Sequence, residues 1–132
     1  ERAKRLDPAA GAVARKLPFS LHNDAPVTNT KPLEAVWNSV TRRTQKGYIL
    51  GEDQRVSVEE ALKAVTIYAA FQYKVEDILG SIEEGKKADL IALDKNPLTA
   101  EKEEIPNIKV QRVWVDGKIV WSDTKKAARL KK

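Results

Sequence analysis

His22 is the only histidine in the chain, and it stands in Ser20-Leu21-His22-Asn23-Asp24-Ala25-Pro26. Three consecutive residues there carry an imidazole, an amide and a carboxylate. The apolar stretch before them predicts a buried strand over residues 17–22, with the cluster at its C-terminal end. In β/α barrels that end is where catalytic residues collect. Asn23-Asp24-Ala25-Pro26 is equally turn chemistry, an Asx-type turn in which Asp24 accepts backbone hydrogen bonds. The residues alone leave both readings open. Other chemistries are poorly served. There is no cysteine, so disulfides and thiolate ligands are excluded. No Gly-rich phosphate loop, Gly-x-Ser-x-Gly or His-x-His occurs. A catalytic zinc takes about three protein ligands plus an open position, and one histidine with one carboxylate cannot close such a site. Ser20 and His22 would share a strand face, but their spacing is not specific for a hydrolytic triad.

The elements that must position this cluster follow from pattern. Residues 2–14 are weakly helical, interrupted by Pro8 and Gly11. Pro32 suits a first helical position. Leu33, Val36, Trp37 and Val40 then recur at i, i+3, i+4 and i+7, predicting a helix to Arg43 or Thr44 with cations at its negative end. Ser57-Val58-Glu59-Glu60 fits a capping box that opens a helix reaching about Phe71. Trp37, Tyr68 and Phe71 are expected in the core. A short helical turn over residues 75–79 ends at Gly80. Beyond Gly85 the period changes: residues 88–93 read as a strand and residues 99–107 as a surface loop. Asp116-Gly117 between β-branched runs predicts a tight hairpin. Asp89 reads as a turn or edge residue, and Gly85 and Gly117 as backbone geometry. The order of strand, helices and strands reads as the end of an α/β unit joined to part of a β-sheet.

At 132 residues, 42% apolar and 33% charged, the chain suits one globular domain. No apolar run approaches the roughly 20 residues that span a bilayer. No signal-like apolar core opens the chain, and a cytoplasmic location is expected, with secretion left open. The chain contains no methionine, so it is expected to begin inside a longer polypeptide or after processing. The formal charge of +5 owes much to Lys125, Lys126, Arg129, Lys131 and Lys132. A solvated tail explains it better than a nucleic-acid module, because aromatic-interleaved basic patches are missing.

Phe19 to Val27 resembles the eighth-strand motif of the amidohydrolase superfamily, closest to the amidohydrolase-3-type branch that includes formamide deformylases. Further segments agree in order. Glu1 to Pro8 resembles the helix after the seventh strand. Ser57 to Leu62, with Thr66 and Ala69-Ala70, resembles the helix after the eighth. Gly80 to Asp94 resembles the passage back into the small β-domain, and Val113 to Val120 its closing hairpin. The similarity covers about residues 1–121.

The resemblance implies an α/β fold: the C-terminal part of a (β/α)8 metal-dependent hydrolase barrel plus part of a small composite β-sandwich. Residues 1–80 would end the barrel, residues 81–122 would give strands of the β-domain, and residues 123–132 would form the basic tail. It implies a hydrolase of amide or formamide-like C–N bonds that uses a divalent metal, with zinc the expected ion. Asp24 would be the metal ligand and take the proton of the attacking water; His22 and Asn23 would flank it as substrate contacts or supports. The partners implied are a small-molecule amide and the barrel strands absent from this sequence, without which the chain is expected to be inactive. The face of residues 17–22, left bare, would favour a homo-oligomer; neither nucleic acid nor membrane is expected. The same branch includes proteins named as exoenzyme regulators, so a non-catalytic regulatory or interaction role is the alternative.

Overall fold

The computed structural model describes residues 2–123, and residues 124–132 of the basic tail lie outside the described residues. Four short helices come first: α1 Ala9–Ala14, α2 Pro32–Thr41, α3 Val58–Ala64 and α4 Ile67–Gln72. Strands β1 Leu90–Leu93, β2 Val110–Val115 and β3 Lys118–Ser122 follow. They form one antiparallel sheet in the order β1-β2-β3. The architecture is therefore a small α/β unit, helices leading and sheet trailing.

α2 begins on Pro32 and buries Val36 and Val40, the face its spacing predicts. Val36, Val40, Ala61 and Ile105 make the buried cluster, with Leu33, Trp37, Val58, Leu62 and Val65 packed against it. The predicted surface loop over residues 99–107 is instead largely a 3-10 helix, Lys102–Asn107, that presses on α2. Three residues per turn bring Ile105 and Ile108 onto one face. Both are buried, Ile105 completely.

α2 stops at Thr41, earlier than its pattern suggests. Arg42 adopts a left-handed φ of 56° as C-cap, which ends the helix before Gly47. Its guanidinium donates to Leu6 O at 2.6 Å, Asp7 O at 3.2 Å and Leu50 O at 2.9 Å. The cation thus ties the N-terminal segment to the connection after α2. Close by, a Cβ on Gly51, at φ +63°, would run into the Lys4 carbonyl.

Ser57 caps α3 as predicted, accepting the Glu60 N–H at 3.1 Å. The single helix expected to reach Phe71 is broken at Val65-Thr66. Val65, Thr66 and Ile67 are three β-branched residues in a row, and their side chains crowd the preceding turn. Thr66 Oγ1 turns back to Leu62 O at 2.8 Å. Gly80 then packs into the break, where its Cβ would lie 2.8 Å from Ile67 Cα and Ala70 Cβ. Ala70 takes the buried position of α4. Phe71, one residue and about 100° further round, is exposed rather than in the core.

The hairpin forms on Asp116-Gly117, both with positive φ (51° and 75°), as a two-residue primed turn demands. Asp89 works as an anchor: its Oδ1 accepts the Asp116 N–H at 2.7 Å, and Ala88 O accepts that of Gly117 at 3.1 Å. Paired residues share a sheet face, so Ile91, Val113 and Trp121 form one row. Ile91, Ile119, Val120 and Trp121 are exposed.

A candidate active-site cleft around Asp24

The strand predicted over residues 17–22 does not form: the segment belongs to no strand and has no strand partner among the described residues. Pro18 has no N–H to donate, and the Leu21 N–H finds only Ala64 O, at 3.3 Å. A β ladder needs a neighbour, and no described strand lies alongside. The segment still delivers its cluster to a cleft of about 970 Å³ whose lining includes His22, Asn23, Asp24, Glu34, Trp37 and Asn38.

Within the cluster the hydrogen bonds are local. The Asp24 N–H donates to His22 Nδ1 at 3.1 Å. Asn23 Nδ2 donates to Lys31 O at 3.3 Å, fastening the loop to the N-cap of α2. Asp24 O accepts the Val27 N–H at 2.8 Å, closing a turn, and Asp24 itself has a φ of 51°. The Asx-type turn is corrected in one respect: the acceptor is the His22 ring, not the Asp24 carboxylate. That carboxylate is exposed and takes no hydrogen bond or ion pair among the described residues. Ser20 is no triad member, because its hydroxyl donates to Gln72 Oε1 at 2.6 Å.

The arrangement fits one ligand of a metal site rather than a whole one. Asp24 offers free carboxylate oxygens and His22 only its Nε2. No group of three His, Cys, Asp or Glu that could hold a metal occurs among the described residues. On the cleft wall, Trp37 Nε1 is buried without a hydrogen-bond partner among them.

A second cluster, unforeseen in the sequence, joins α3 to α4. Glu60 accepts from Lys63 Nζ and from Tyr68 Oη, both at 3.0 Å, and Glu59 accepts from Lys63 at 2.8 Å. The Lys63 hydrogen bond, aided by Tyr68, holds the Glu60 carboxyl below its usual range against the opposing effect of burial. Glu59 first, then Glu60, pushes Lys63 up. The Glu60 bond likewise raises the Tyr68 hydroxyl. The Tyr68 ring lies 6.3 Å from that of Phe19. The i, i+3 and i+8 spacing of Glu60, Lys63 and Tyr68 hides the cluster, because it needs the break between the helices.

Comparison with known proteins places the chain in a family. The sequence profile of the Amidohydrolase family matches residues 1–121. N-substituted formamide deformylase of Arthrobacter pascens is 33% identical over 120 residues, covering 91% of this chain and 22% of the deformylase. A 5-methylthioadenosine/S-adenosylhomocysteine deaminase of Thermodesulfovibrio yellowstonii is 33% identical over 91 residues, 67% of this chain and 20% of that enzyme. In fold, the chain resembles an amidohydrolase from Thermotoga maritima MSB8, with a TM-score of 0.65 at 23% identity over 87% of this chain and 26% of the other. The chain thus spans about a fifth to a quarter of the length of these relatives. Its 121 matched residues make it a member of the Amidohydrolase family.

Proposed function

We propose that the protein to which these residues belong is a metal-dependent hydrolase of C–N bonds, acting on small amides of the formamide type. The observation that carries this reading is the Asp24 carboxylate, without a partner among the described residues and on a cleft wall, in a chain related to a formamide deformylase and a deaminase. Asp24 would hold the metal as one ligand, the others coming from outside these 132 residues. A bound divalent metal lowers the pKa of water towards neutrality. The Asp24 carboxylate would take the proton released from that water and pass it to the leaving nitrogen. Water and amide then yield a carboxylic acid and an amine. Asn23 keeps the loop closed on α2, and Trp37 contributes to the cleft wall beside it.

In this reading residues 17–22 are the last strand of a barrel and become a regular strand once neighbours flank them. The test is hydrolysis of N-butylformamide by the intact protein, followed as formate release with and without a chelator. Activity lost to the chelator and restored by zinc is expected. Asp24→Asn should lower kcat by about a thousandfold or more, as loss of a metal-assisting proton acceptor does. Undiminished activity in the Asp24→Asn variant would remove Asp24 from the chemistry. A fully metallated protein inert towards formamides and other amides would favour the regulatory reading.

A further inference from the structure

We propose that His22 is a positioning residue that acts through its ring nitrogen on the Asp24 main chain, an inference that rests on the reading of Asp24 above. Among the described residues the Asp24 carboxylate accepts no hydrogen bond that could orient it. Its orientation has to come from the backbone. The Asp24 N–H donates to His22 Nδ1 at 3.1 Å. A ring nitrogen that accepts a hydrogen bond carries no proton, so the neutral imidazole keeps its proton on Nε2. Nδ1 of histidine lies as many bonds from the main chain as Oδ1 of asparagine. The contact is therefore an Asx-type turn, reaching two residues on, built with an imidazole.

The bond sits at a backbone position that gains from support. Asp24 has a φ of 51°, a left-handed conformation that residues other than glycine seldom adopt. Its carbonyl is held by the Val27 N–H at 2.8 Å, and the preceding residue by Asn23 Nδ2 to Lys31 O at 3.3 Å. His22 supplies the remaining tie, on the N–H, and leaves the carboxylate without a partner among the described residues.

Two variants of the intact protein separate this role from direct contact. His22→Ala removes the acceptor. His22→Asn restores an acceptor at the same position while removing Nε2. Hydrogen exchange, read by mass spectrometry on peptides spanning residues 20–27, should quicken at Asp24 about 3- to 10-fold in the alanine variant, the net worth of one hydrogen bond. In the asparagine variant it should stay within about twofold of the parent. On N-butylformamide the alanine variant should lose about tenfold in kcat with KM nearly unchanged, as misplacement of a group used only in the transition state does, and asparagine should restore most of it. An asparagine variant as impaired as alanine would overturn the proposal and give Nε2 the role. So would an alanine variant that matches the parent in exchange. If the parent itself fails to turn over, or Asp24→Asn retains activity, the reading of Asp24 falls instead; the exchange pattern still decides whether His22 holds the amide.

Discussion

Glu60 illustrates how one side chain sets a pH window. Its carboxyl is held down chiefly by Lys63, so its contribution is present above the ordinary value of 4.5 and fades as pH falls through the lower folded value. The Tyr68 hydroxyl is raised by the same carboxylate, so its contribution is present below 10.0 and fades as pH rises through the higher folded value. Between these limits the network should add a plateau of stability. The side chains are partly exposed, so solvent screening should keep the plateau shallow. Thermal unfolding followed across pH should show Glu60→Gln flattening both edges, and Tyr68→Phe removing the alkaline edge while softening the acid one only in part, because Lys63 still holds Glu60 down. At this scale much of the candidate site was legible: the placing of His22, Asn23 and Asp24 together needs only their adjacency. What adjacency could not tell is which atom accepts the Asp24 N–H. That depends on a left-handed φ, which a sequence of non-glycine residues does not announce.

Among the elements, the helices and hairpin followed from local rules wherever those rules were sufficient. Pro32, Ser57 and Asp116-Gly117 each act within four residues, and each does what its chemistry predicts. The misses share a cause, which is dependence on something distant. Residues 17–22 lack a neighbour to pair with. The break at Val65-Thr66 adds to its local β-branched cause a distant one, Gly80 packed into it. Ile105 is buried only because its 3-10 turn docks on α2. Two substitutions probe this dependence in chemical denaturation. Ile105→Ala should cost about 2–5 kcal/mol, because a fully buried branched side chain leaves a cavity between α2 and α3. Gly80→Ala should also destabilise by more than about 1 kcal/mol, since φ is +92° and the new methyl would meet Ile67 and Ala70. A neutral result at either position would mean that the helices do not pack as described.

At the scale of the whole molecule the core is asymmetric: it lies between α2, α3 and the Lys102–Asn107 turn, while the sheet keeps apolar side chains in solvent. Ile119, Val120 and Trp121 on β3 are all about half exposed or more. An apolar strand at a sheet edge invites association. The 132-residue chain by itself should therefore self-associate, and Ile119→Lys combined with Trp121→Lys should shift it towards monomer in sedimentation analysis. Equal behaviour of parent and variant would show that this edge strand is not what drives association. The meeting of Arg42, Gly51 and the segment around Lys4 has a further consequence, for inheritance. One guanidinium gathers carbonyls from both sides of α2, and position 51 has no room for a side chain beside the Lys4 carbonyl. Neither residue can drift alone. Across related genes, lineages that replace Gly51 should also have replaced Arg42 or rebuilt the stretch before Pro8, so the three should change in step.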